Sequence, residues 1–409
     1  MMRNDKLHRY INSRQMPTIT ANKIRPASAS LIIIFAELLG TSLWFSINSV
    51  SSSLMSAWEI NLAGIGFLTN AVQLGFIAGT LLFALSGIAD RFKPSHIFAT
   101  CALLGSIFNG LFAIYADNVY VGSLFRFLTG ICLAGIYPIG MKLIITWDPE
   151  NASQRIAQLV GMLTLGTALP HATRYLSLDW RWQAVILTSS ACALLAMLMI
   201  LILGDGPHLK INSQPRITFR GITHFFKISK YRSSAFGYFG HMWELYAFWA
   251  LVPILISQTH GITDPIELSG WSFLVIAIGS IGCFIGGQLS PMIGNVKVAS
   301  TALFLSALCC LLYPWIQGTH FYIQTFFWIV WGMSVVADSP QFSTLSAQAC
   351  PPEKIGAALT IQNAVGFAIT MISIQISTVL VATLNAYISW LLLPGPILGL
   401  ILLNRIKAR

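Results

Sequence analysis

The chain has 409 residues, 55% of them hydrophobic and only 9% charged, whereas soluble domains carry about 25% charged residues. A mean hydropathy of +0.71 and repeated apolar stretches exclude an ordinary soluble globular protein, because each crossing helix must cover roughly 30 Å of hydrocarbon. The formal charge of +10 does not mark a nucleic-acid binder, since the basic residues are scattered between apolar stretches and not gathered on one domain.

Residues 1–26 are polar and basic and read as a cytoplasmic tail. The apolar stretch after them is too long for a signal-peptide core and lacks a clear cleavage site, so it is expected to remain as the first helix. Hydropathy predicts twelve spans, near 27–50, 62–89, 95–115, 120–145, 157–176, 181–203, 234–257, 269–290, 297–316, 320–342, 356–381 and 385–404. The expected fold class is therefore an all-α membrane protein with twelve transmembrane helices in two six-helix pseudo-repeats. The only long polar interruption, 204–233, carries Lys210, Arg216, Arg220, Lys227, Lys230 and Arg232. It divides an amino-terminal bundle (27–203) from a carboxy-terminal bundle (234–404), which is followed by a short cytoplasmic tail (405–409).

Twenty of the 24 Lys and Arg residues fall in the tails, the linker and the loops on that same side. The positive-inside rule then places both termini and the linker in the cytoplasm of a multi-pass inner-membrane protein. The halves echo each other: Glu37-Leu38 and Glu244-Leu245 occupy matching places in spans 1 and 7, each followed by a tryptophan, Trp44 or Trp249. Such matches are what parallel repeats leave behind.

Acidic side chains at membrane depth are the most informative for chemistry: Glu37 in span 1, Glu244 in span 7 and Asp338 in span 10. An ionised carboxylate at the bilayer centre costs at least about 2.5–3.5 kcal/mol on insertion scales, so each must face a cavity, pair, or hold a proton. Arg126 in span 4 is the deep cation. Its planar fork suits a carboxylate or phosphate, or a permanent partner such as Glu37 or Asp338. His241 and Glu244, three residues apart, share a helix face beside Tyr246, and their pairing would make a proton relay. In span 10, Trp331, Val335 and Asp338 lie on one stripe with Gln341 beyond it; Asp338 alternatively caps a helix broken before Pro340. The seven cysteines read as membrane-core fillers, without zinc or disulfide spacing. No metal site, cofactor motif or Ser/His/Asp set is present, so no enzyme and no cofactor are expected.

The loop Gly87-Ile-Ala-Asp90-Arg91-Phe-Lys93 resembles the Gly-x-x-x-Asp-Arg-x-Gly-Arg/Lys motif of the major facilitator superfamily, with Lys93 where that motif has Gly and Pro94 where it has a basic residue. Arg126-Phe-Leu-Thr-Gly130 resembles the family's helix-4 Arg-x-x-x-Gly motif, and Gly161, Gly166 and Pro170 loosely resemble a helix-5 motif of proton-linked exporters. The resemblance implies a central path lined by helices 1, 4, 7 and 10, the helices that carry Glu37, Arg126, His241, Glu244 and Asp338. It also implies a gating role for Gly87, Asp90 and Arg91. Nitrate is not implied, because spans 2 and 8 hold no arginine. The expected function is secondary active transport of a small organic solute, anions among the candidates, by alternating access, coupled to protons, by a monomer in the lipid bilayer. The competing readings are an exporter of amphipathic or drug-like compounds and a transporter-like receptor.

Overall fold

The computed structural model describes residues 25–177, 180–209, 225–351 and 355–404. Among these residues the structure is helical, without strands. The first half contains α1 (Pro26–Thr41), α2 (Leu62–Ser86), α3 (Pro94–Tyr115), α4 (Val119–Trp147), α5 (Ala152–Leu176) and α6 (Trp182–Leu203). The second contains α7 (Ser229–His260), α8 (Pro265–Ile293), α9 (Asn295–Ile316), α10 (Phe321–Gln348), α11 (Ile355–Leu384) and α12 (Ile388–Leu392 continued by Pro394–Asn404). Nine stretches among the described residues are long and apolar enough to cross a membrane, one of which, Ala358–Asn404, carries both α11 and α12. The remaining two are α1, with 16 residues, and α5, whose hydropathy is diluted by Gln154, Arg155, Gln158, Thr164, Thr167 and His171.

Local chemistry sets the helix ends. The Asn61 side chain accepts the Gly64 N–H at the start of α2, Asn118 accepts from Tyr120 and Val121 at α4, and Asp264 accepts from Glu267 at α8. These caps satisfy amide groups that a helix start leaves without carbonyl partners. Pro26, Pro94 and Pro265 occupy first-turn positions, where a missing N–H costs nothing. Gly87 ends α2 with φ +68°, donating its N–H to Phe83 O, a conformation that disfavours any side chain.

The two halves meet along α2 with α11 and along α5 with α8. Within the first half, α2 and α4 cross at Gly130, where a Cβ would run into the Val72 carbonyl. That close approach is the physical content of the glycine in Arg-x-x-x-Gly.

Three helices are broken. The chain after α1 runs through turns at Ser42–Ile47 before the short helices Asn48–Val50 and Ser51–Trp58, so the predicted span 27–50 is not one helix. In α4, the segment Val119–Leu133 stops and Tyr137–Trp147 restarts, with Gly135 and Ile136 bonded to Cys132 and Leu133 carbonyls three residues back. In α10, Phe321–Ala337 and Ser339–Gln348 meet at Asp338. Pro138 and Pro340 lie just after the two breaks and have no N–H to give to the carbonyls four residues back. The Val336 carbonyl accepts instead from the Asp338 N–H and, at 3.5 Å, from the Cys283 thiol of α8.

Helix α7 begins at Ser229, so five residues of the expected linker are helical. Lys210, Arg216 and Arg220 of the linker, Lys354, residues 1–24 and the 405–409 tail lie outside the described residues. The start of the linker is tied down: Asp205 accepts from the Ser95 N–H at 2.9 Å and the Ser95 hydroxyl at 2.8 Å, and the Trp147 indole donates to Gly204 O.

Candidate functional site

The two helix breaks bring Tyr137 and Ser339 to the interface between the halves. Both line a small cavity of about 20 Å³, together with Thr164 of α5, Tyr238, Tyr246 and Trp249 of α7, and Phe367 of α11. That is room for about one water, far below the roughly 300–1,000 Å³ of small-molecule sites, so a solute enters only after the halves part. Five of the twelve lining residues are aromatic, the rest mainly aliphatic. The hydroxyls of Tyr137, Tyr238 and Tyr246 have no hydrogen-bond partner among the described residues, leaving three donors for a guest.

A ring cluster covers the cavity on the side away from the termini. Phe367 stacks on Trp44 at 5.5 Å and meets Phe76 at 4.4 Å and Tyr246 at 5.1 Å. Phe45 stands edge-on to Trp249 at 5.8 Å. Rings from α2 and the turn after α1 thus close against rings from α7 and α11. The Trp44 indole is fixed by a 3.1 Å bond to Gln73 Oε1 on α2.

Behind the cavity wall, His241 Nδ1 sits 2.8 Å from Asp338 Oδ1. Both residues are almost wholly buried. Asp338 stands at the N-cap position of the second part of α10, next to the lining residue Ser339. The imidazole lies between the rings of Tyr238 and Phe342, at 5.9 and 6.0 Å, and its Nε2 has no hydrogen-bond partner. The structure therefore pairs His241 with Asp338 and not with Glu244. On α7, Glu244 turns away: its Oε1 accepts from the Ser306 hydroxyl at 2.5 Å, the Cys310 thiol at 3.1 Å and the Trp331 indole at 2.9 Å. These donors belong to α9 and α10, so Glu244 ties three helices of the second half together.

Glu37 is fully buried and neither carboxyl oxygen has a hydrogen-bond partner. Its Oε2 packs against the Cα of Gly140, in the first turn of the second part of α4. An acid therefore stands beside each restarted helix, Glu37 in the first half and Asp338 in the second. Arg126 is bonded to neither. Its guanidinium donates to the carbonyls of Leu43 (3.1 Å) and Trp44 (2.5 Å), to Ser46 Oγ (3.2 Å) and to Asn109 Oδ1 (2.9 Å). It thereby satisfies the carbonyls exposed by the turn after α1 and holds in place the turn that presents Trp44 and Phe45.

Tyr246 lines the cavity as its place beside Glu244 suggests. Gln341 does not; its amide nitrogen lies near Gly286 of α8. Gly87 ends α2, Arg91 is exposed at the end of the short helix Ile88–Arg91, and the Asp90 side chain lies outside the described set. Lys142 Nζ of α4 donates to the Ala89 carbonyl in that helix, which couples the loop to α4. Sequence reasoning missed Tyr137, Tyr238, Ser339 and Phe367. The signal for two of them was present, since Tyr137-Pro138 and Ser339-Pro340 mark matching breaks in α4 and α10. It also missed His171 of α5, which is buried with both ring nitrogens unpartnered.

The two-half arrangement, the motif loop after α2 and the Arg126–Gly130 helix agree with a comparison of sequences. Residues 31–374 match the sequence model described as Major Facilitator Superfamily. The chain belongs to this superfamily. Two curated relatives are the niacin transporter NiaP of Acinetobacter baylyi and the 4-hydroxybenzoate transporter PcaK of Pseudomonas putida. The first is 30% identical over 112 residues, 27% of this chain and 25% of that one; the second is 28% identical over 120 residues, 29% of this chain and 25% of that one. The chain thus spans about a quarter of the length of these curated relatives. A crystal structure of a bacterial homologue of the human lysosomal transporter Spinster, inward-facing and unoccupied, superposes with a TM-score of 0.65. It covers 94% of this chain and 96% of its own, at 15% identity, a likeness of fold. The superfamily fold and the apolar helices make this a multi-pass membrane protein.

Proposed function

We propose that this superfamily member carries small aromatic carboxylic acids across the inner membrane by alternating access, coupled to protons, with both termini and the linker in the cytoplasm. The observation that carries the reading is the small cavity between the halves, where five aromatic rings and three unpartnered tyrosine hydroxyls converge. Aromatic faces match a flat ring, and hydroxyl donors match a carboxylate. The two relatives are named for niacin and 4-hydroxybenzoate, each a single aromatic ring bearing one carboxyl group. Proton coupling is supported by buried acids next to both restarted helices.

The aromatic cover also suits the second reading, export of amphipathic compounds. Reconstitution into proteoliposomes separates them. With an inwardly directed proton gradient, labelled 4-hydroxybenzoate and niacin should accumulate above equilibrium, and a protonophore should abolish the accumulation. Transport of a lipophilic cation such as tetraphenylphosphonium, without flux of either acid, would replace this reading with the export one.

A further inference from the structure

From the geometry we infer that His241 is the cationic partner of the substrate carboxylate, and that Asp338 is the internal anion which this carboxylate displaces. The inference deepens the proposed function and rests on it, since it needs a carboxylate guest. A carboxylate entering an apolar cavity requires a positive partner. The deep arginine is not available, because Arg126 is engaged by two carbonyls, a serine and an asparagine in the first half. The basic group behind the cavity wall is His241, one helical turn from the lining residue Tyr238 and next to lining residue Met242. One ring nitrogen lies 2.8 Å from Asp338, while the other is buried without a partner.

The proton balance follows from this arrangement. In the empty state, the His241–Asp338 pair holds one proton between its two members. When RCOO⁻ takes the imidazolium, Asp338 is left buried without its counterion, a costly state for a carboxylate. Asp338 therefore accepts one proton from solution. The products are an imidazolium–carboxylate pair with the guest and a neutral Asp338, so one anion and one proton enter together with no net charge. Other titratable groups face the pair: Tyr238 and Glu244 on α7, Cys283 on α8 and Tyr137 on α4, the last in reach of Glu37 on α1. The oxygen of Glu244 is already committed to Ser306, Cys310 and Trp331. Asp338 is thus the acid in direct contact with the imidazole.

Titration calorimetry on the purified wild-type protein, in two buffers of different ionisation enthalpy, counts protons taken up on binding. One proton should be absorbed per bound 4-hydroxybenzoate and none with 4-hydroxybenzamide, which carries no charge to displace Asp338. The carboxylate affinity should weaken about tenfold per pH unit on the alkaline side, the slope of one linked proton. In Asp338→Asn the buried imidazole has no internal anion, so the proton absorbed with 4-hydroxybenzoate should go to His241 and the count should stay at one. His241→Gln should lose the carboxylate and keep the amide.

Binding of 4-hydroxybenzoate by the wild type without proton uptake would overturn the inference while leaving aromatic-acid transport standing. So would a His241→Gln protein that keeps its affinity for 4-hydroxybenzoate. A wild type that neither binds nor carries an aromatic acid would remove the proposed function itself. Because the proton count is made on the wild type, a variant that fails to fold does not shelter the inference.

Discussion

Glu244 and Arg126 show how a buried charge in a membrane protein is answered by what surrounds it. Three donors converge on one oxygen of Glu244, and the two terminal nitrogens of Arg126 donate to carbonyl, hydroxyl and amide oxygens rather than to a carboxylate, its Nε having no partner. Both arrangements stitch helices within one half and leave the interface to the tyrosines and His241. Replacing Glu244 then has two different outcomes. Glu244→Gln keeps a carbonyl oxygen for Ser306 and Trp331, so thermal unfolding and proton-driven uptake should stay close to wild type. Glu244→Leu strands those donors, and each unsatisfied buried group costs about 1–3 kcal/mol; its melting temperature should fall by several degrees. Loss of gradient-driven uptake in a normally folded Glu244→Gln protein would instead return Glu244 to the coupling role. None of this was legible in the sequence, because His241 and Glu244 share a helix face at a spacing that suggests partnership. The decisive partners, Asp338, Ser306 and Trp331, lie 62 or more residues away along the chain and are chosen by helix packing.

Spans of apolar residues are dictated by the bilayer, and the helices were legible for that reason. Their breaks were legible only where a residue type forces them. Pro138 and Pro340 do so in α4 and α10. By contrast, Ser42–Ile47 contains neither proline nor glycine, and the α1 turn depends on a guanidinium arriving from α4. The extra turn at the start of α7 escaped notice because Lys230 and Arg232 made it look like linker. The α10 break positions Asp338 at a helix start and Ser339 in the cavity wall, so straightening it should cost function while adding stability. Pro340→Ala restores an N–H that can reach the Val336 carbonyl, now taken by the Asp338 N–H and the Cys283 thiol. The variant should melt at a higher temperature than wild type and carry 4-hydroxybenzoate more slowly, as measured by thermal shift and proteoliposome uptake on one preparation. A variant that is both less stable and fully active would show that the break has no part in placing Asp338.

At the scale of the whole molecule, alternating access requires the contacts between halves to be strong enough to close and weak enough to release. Along α5 and α8 the halves meet on close-packed surfaces, and Gly161 on α5 leaves room there for Phe284 of α8. On the side away from the termini the closure is a small set of rings, with Phe367 at its centre touching Trp44, Phe76 and Tyr246. Aromatic pairs contribute about 0.5–1.5 kcal/mol each beyond their buried area. Two of these pairs, with Trp44 and Phe76, cross the halves, so removing Phe367 withdraws roughly 1–3 kcal/mol from the closed state, enough to shift a closed-to-open ratio by a factor of about five or more. Phe367→Ala should therefore speed hydrogen exchange in the turn Ser42–Ile47 and in α7 around Tyr246. Exchange within the Glu244 network of α9 and α10 should stay unchanged, because that network lies inside one half. Substrate affinity should weaken at the same time, since the cavity loses a wall as well as its cover. Faster exchange spread evenly through both halves would mean that Phe367 holds the fold together rather than the gate. Unchanged exchange at Ser42–Ile47 would place the closing contact elsewhere, with the α5–α8 surface the next to test.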